Sequence, residues 1–138
     1  MEIISGDIMI ARAHSALGEF EKAEEIFVGI FSFECPKSYP RKCELEEQQL
    51  LSMVQYCRAQ MRRRDDPKTF EALWTIASEP RFERIAAEHG PMPYAEYLGL
   101  QASIMSCMDR IDEMLSFQRQ AWSVCKSNTF DLREQASQ

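Results

Sequence analysis

Residues 7–30, DIMIARAHSALGEFEKAEEIFVGI, constrain the fold more than any other stretch of this chain. Ile4, Ile8 and Ala11 fall on one helical stripe, with Ile10, Ala13 and Leu17 beside it. Phe20, Ala23, Phe27 and Ile30 carry the same period onward after Gly18. Glycine enters the left-handed region without a side-chain clash and so closes the first helix. A connection this short sends the second helix back antiparallel to the first. The chain is expected to be all-α and built from helical hairpins.

The 138 residues are enough for one domain with a real core. A 45% hydrophobic content, with only five Gly and six Pro, excludes a disordered tail. Sixteen basic and 22 acidic side chains leave a net charge of −6, which repels phosphate backbones and anionic membranes at long range. Nucleic acid is therefore a disfavoured partner, although a basic cluster still acts locally over a screening length of roughly 8 Å. The five cysteines, at 35, 43, 57, 107 and 125, leave one unpaired in any full disulfide scheme, and three sit at apolar positions of expected helices. That points to a reducing, intracellular and cytoplasmic setting. Residues 1–17 lack the apolar core of a secretory signal, and no apolar run approaches the roughly 20 residues of a membrane span.

Further along, Pro36 and Pro40 interrupt the pattern over residues 32–43 and predict a loop. A third helix is expected from about Glu44 to Met61, with Leu45, Leu50, Met53, Val54 and Cys57 among its apolar residues. Asp66 before Pro67 reads as an N-cap followed by proline at the first helical position, and opens a fourth helix with Phe70, Leu73, Trp74 and Ala77 apolar. A short fifth helix is expected over 81–88, ended by Gly90, Pro91 and Pro93. A sixth follows from Tyr94 to about Cys107, and a seventh from about Arg110 to Lys126. The capping residues at 128–134, with Phe130 and Leu132, suggest that another helix starts there.

The opening hairpin resembles a tetratricopeptide repeat. Ile10, Ala11, His14, Gly18, Phe20, Ala23 and Phe27 stand, in order, where that family has its large apolar, small, aromatic, glycine, aromatic, alanine and aromatic residues. Asp7 departs from the usual large apolar residue, and Cys35 from the closing proline, which follows one place later as Pro36. Residues 94–126 resemble a degenerate second copy through Ala102, Ile111 and Ala121, with Asp109, Met114 and Gln118 departing from the turn glycine, the alanine and the second aromatic. Residues 44–78 match only through Ala72.

The resemblance implies an irregular right-handed superhelix or small helical bundle of about seven helices, in hairpins near 4–32, 44–78 and 94–126. It implies a single domain over 1–138, read also as a segment of a longer array or as a chain that self-associates through its terminal helices. The function implied is an adaptor or scaffold that binds a protein, a peptide or a partner helix. Family contacts map to Ser5, Ile8, Arg12 and Ser15 of the first copy and to Ser103 and Ser106 of the last. The Lys and Asn clamp that some relatives use for a C-terminal carboxylate is absent from the first-copy positions. The pentatricopeptide pattern fits His14, Gly18, Ala23, Phe27 and Ile30 almost as well and implies RNA binding. Against it, Ile8 stands where that class has a polar reader.

Catalytic chemistry has little support in the sequence. His14 fits a packing position and His89 a helix-end cap. Cys35 and Cys43 flank the proline loop and read as structural thiols. Carboxylate pairs such as Glu24 and Glu25, or Asp112 and Glu113, are common in a chain this acidic. The glycines, at 6, 18, 29, 90 and 99, are isolated and form no phosphate cradle. The expectation is therefore no enzyme, no catalytic residue, no cofactor and no metal, with a small all-α enzyme or regulatory subunit as the remaining class. Arg58, Arg62, Arg63 and Arg64, with Lys37, Arg41 and Lys42 before them, form a basic cluster that reads as solvated charge, or else as a grip for phosphate or an acidic peptide.

Overall fold

Seven helices and no strand account for the regular structure of the described residues in this computed structural model. The structure describes residues 5–137, with side chains placed over 7–127. The helices are α1 (Ser5–Ala16), α2 (Phe20–Ser32), α3 (Lys42–Arg63), α4 (Pro67–Ala77), α5 (Pro80–Glu88), α6 (Pro91–Cys107) and α7 (Ile111–Ser137). They group into two compact units, Met1–Gln60 and Met61–Gln138.

The first unit begins with the hairpin that the sequence predicts. Gly18 takes φ 80. The Gly18 N–H donates to the Ser15 carbonyl at 3.1 Å and the Glu19 N–H to the His14 carbonyl at 2.8 Å. This is the Schellman arrangement, in which a left-handed residue lets two otherwise orphaned carbonyls of the last helical turn accept bonds. Ala11 and Ala23 are buried where α1 meets α2, and their small side chains let the two helices approach closely. Ile8, Phe27 and Ile30 fill the space around them, and Leu45 joins this core from α3. Full burial of one such large side chain stabilises by about 1.5–3 kcal/mol. The α3 side chain of Gln49 is also buried, and its amide donates to the Ile30 carbonyl at 3.1 Å and the Phe33 carbonyl at 2.6 Å. It thereby satisfies carbonyls at the C-terminal end of α2 and just beyond it.

The second unit is arranged around α6. Eight of its residues are buried, among them Tyr97, Leu98, Leu100, Ile104 and Met105, and at about 100° per residue they span roughly 220° of the helix circumference, leaving an arc with the exposed Glu96 and Ser106. A buried arc this wide needs more than one neighbour, and α4, α5 and α7 all make contact with α6. Tyr97 satisfies its hydroxyl by donating to the Ala77 carbonyl at the end of α4, while the Gln101 amide donates to the Tyr97 oxygen at 3.2 Å. Burial raises the Tyr97 phenol well above its ordinary pKa, so it stays a neutral donor.

Three of the four helices that start in this unit, α4, α5 and α6, begin on a proline. The Asp66 side chain accepts from the Thr69 backbone N–H at 2.9 Å and from its hydroxyl at 2.8 Å, which makes the expected cap ahead of Pro67. The start of α6 differs from expectation. Pro91 and Pro93 lie inside its first turn and do not separate it from α5, because the first residues of a helix have no intrahelical use for an N–H. The end of the chain differs too. No separate helix starts at 128, since α7 runs unbroken to Ser137 with no Gly or Pro along it to interrupt the bond ladder. The side chains of Phe130 and Leu132 lie outside the described residues.

Candidate interaction surface

The structure separates the surface residues that the repeat resemblance implies. Ile8 is only 3% exposed and is a core residue against α2, which removes it from any external contact. Arg12 is exposed, Ser15 is half-buried, and the Ser5 side chain lies outside the described residues. In the second unit, Ser103 spends its hydroxyl on the Gly99 carbonyl at 3.0 Å, whereas Ser106 is exposed.

A different face of α1 is open. Ile10, Ala13 and Leu17, expected beside the core stripe, all point to solvent, with Ile10 52% and Leu17 75% exposed. At about 100° per residue these three share one arc, with Met9 and Ala16 next to it. The buried pair Ile8 and Ala11 lies on the other side of the helix, and Arg12 falls between the buried arc and the exposed one. Phe20, the first residue of α2, continues the exposed apolar surface in sequence beyond the turn. Periodicity shows that α1 has apolar residues on more than one arc, but it does not tell which arc α2 covers.

The titratable groups near this hairpin work locally. Lys22 donates to Glu19 at 2.8 Å, and the His14 imidazole lies 3.4 Å from the other Glu19 oxygen. The Lys22 bond, followed by that of His14, holds the Glu19 carboxyl below its usual range. His89 sits at the end of α5 with Nδ1 2.8 Å from the Ile85 carbonyl, as a helix-capping side chain does. Cys57 is buried, and burial pushes its thiol up to about 12, so it is protonated and inert at neutral pH. No disulfide joins the cysteines among the described residues, and the Cys35 thiol donates to the adjacent Pro36 carbonyl at 3.5 Å. Among the described residues, no three or more His, Cys, Asp or Glu side chains gather as a metal site would require.

Arg58, Arg62, Arg63 and Arg64 are exposed. Arg58 belongs to the first unit and the other three to the second. Of the acids that follow them, Asp66 is engaged with Thr69, whose bonds hold its carboxyl below the usual range. The second unit also has an open groove of about 390 Å³ between the start of α6, at Gly90, Pro91 and Tyr94, and Ser123, Val124 and Ser127 of α7. Its lining has hydroxyls but no carboxylate, imidazole or thiol, so it presents no acid and base pair.

No family model, curated protein or solved structure matches the chain. No helix among the described residues is long and apolar enough to cross a membrane.

Proposed function

We propose that this chain is a helical interaction module whose α1 face, formed by Met9, Ile10, Ala13 and Leu17 beside Arg12, receives a peptide or a helix of a partner protein. One observation carries the reading: α1 buries Ile8 and Ala11 on α2 while leaving a second run of large apolar side chains in water. A helix with two apolar arcs is stable in solution with one covered, and the other is available to a partner. The tetratricopeptide resemblance of residues 7–30 supports the same role. Arg12 at the border adds a directional contact to an otherwise greasy surface.

The test is affinity capture with the wild-type chain and with Arg12→Glu and Leu17→Glu, each checked by a circular-dichroism melt. Both side chains are exposed, so the melts stay near wild type. Leu17→Glu is expected to weaken partner affinity roughly tenfold or more. Capture unchanged in both variants would remove this face from consideration. Recovery of RNA in place of protein would favour the pentatricopeptide-like reading.

A further inference from the structure

The least covered helix of the second unit is α7. None of its described side chains is fully buried; Met114, Phe117, Ala121, Val124 and Cys125 are half-buried, and Phe117 meets the Trp74 ring of α4 at 5.9 Å between centroids. A second stripe lies on the exposed side. Ile111, Leu115, Gln118 and Trp122 fall within about 60° of one another around the helix at about 100° per residue. Ile111 is 50% and Trp122 65% exposed, and the Lys126 ammonium lies 4.8 Å from the centre of the Trp122 ring. Asp112 and Arg119 share one flank of this stripe, and neither has an ion-pair partner among the described residues.

We propose that this face is where two copies of the chain meet, with α7 antiparallel to α7 of the second copy across a two-fold axis. A two-fold interface uses the same patch twice, so the patch must be complementary to itself. The stripe meets that condition in one register. Setting Ile111 opposite the second copy's Trp122 sets Leu115 opposite its Gln118, so large apolar side chains fill both ends of the contact. The same register places Arg119 opposite position 114 of the second copy. Two residues away, about 3 Å along the axis at the rise of a helix, is the second copy's Asp112. Antiparallel helices related by a two-fold axis bring the same flank to the same side, so this charge pair forms twice. Two groups with no ion-pair partner among the described residues of one chain become partners in two. The inference stands apart from the α1 reading, because it uses a different face and a different unit.

Sedimentation velocity over two decades of protein concentration tests it, with the wild-type chain, Trp122→Glu, Arg119→Asp, Asp112→Arg, the Arg119→Asp/Asp112→Arg double variant and Leu17→Glu. The wild type is expected to shift from monomer to dimer, and Trp122→Glu to remain a monomer. Each single charge reversal brings like charges together and weakens the dimer by roughly fivefold or more, and the double variant restores it. Leu17→Glu leaves the dimer intact. A wild type that stays monomeric throughout overturns the proposal. So does a dimer lost in Leu17→Glu but kept in Trp122→Glu, an assembly that grows beyond two copies, or a double variant no better than the singles. Should Trp122→Glu melt early, the three charge variants decide alone.

Discussion

At the turn between α1 and α2 a glycine sits at φ 80, and at the turn between α6 and α7 an aspartate sits at φ 57. The bonds around them are the same. In the second turn the Asp109 N–H donates to the Ser106 carbonyl at 3.1 Å and the Arg110 N–H to the Met105 carbonyl at 2.9 Å, repeating residue for residue the pattern around Gly18. Left-handed backbone costs an L-residue roughly 1–2 kcal/mol, somewhat less for Asp. The second hairpin carries that cost, and the first avoids it. Each turn is also followed by an ion pair three residues apart, Glu19 with Lys22 and Glu113 with Arg110. The hairpins part company in their packing. In the first, the returning helix α2 buries Ala23, Phe27, Ile30 and Phe31. In the second, the outgoing helix α6 is buried and the returning α7 has no fully buried side chain among those described. Turn geometry is thus set by backbone hydrogen bonding, and the depth of each helix is set separately by what lies against it.

The packing contrast yields the largest expected effect. Phe27→Ala should cost about 3–5 kcal/mol, whereas Phe117→Ala, half-buried on α7, should cost about 1–2 kcal/mol. Urea unfolding followed by circular dichroism measures both, and equal losses would erase the distinction between the two returning helices. The turns come next. Nothing lies within 4 Å of a Cβ built on Gly18, so Gly18→Ala changes only the backbone preference. It should destabilise by about 1 kcal/mol, and Asp109→Gly should stabilise by about 0.5–1 kcal/mol. If both substitutions shift the urea midpoint in the same direction, the two turns are not equivalent.

The ion pairs give the smallest effect. Glu19 is held below the usual carboxylate range by Lys22 and then His14, and Glu113 by its own backbone N–H and then Arg110. A depressed folded pKa contributes stability above the unfolded value, about 4.5, that is lost as pH falls through the folded value. Acid titration of the melting temperature should show a small decline below that point, reduced in Lys22→Ala and in high salt. A decline of the same size in Lys22→Ala at low salt would assign it to other carboxylates.

Much of the fold could be read from the chain because its punctuation is chemical. Gly18, Asp66 with Pro67, and Pro80 mark helix ends through backbone conformation and missing donors, and those effects are local. Asp109 was less visible as a left-handed residue, since aspartate also suits helix starts and loops. Pro91 and Pro93 misled because proline stops one helix and starts another with equal ease, and only the contacts of α6 decide between the two. The candidate surface was harder to read for a related reason. Ile8 and Ile10 have the same side chain on the same helix, and only the position of α2 makes one core and the other surface. The flank formed by Asp112 and Arg119 on α7 is defined by packing, since only the cover over the other side of α7 leaves this face exposed.

Of the seven helices, α4, α5 and α6 each begin on a proline, at 67, 80 and 91, while α1, α2, α3 and α7 do not. Nucleating a helix means fixing several dihedrals for a single hydrogen bond, which is the unfavourable step in helix formation. A proline at the first position holds one of those dihedrals near its helical value even in the unfolded chain. The second unit therefore starts from a denatured ensemble already narrowed at three helix origins, and the first unit must find its helices through the contacts they make with one another.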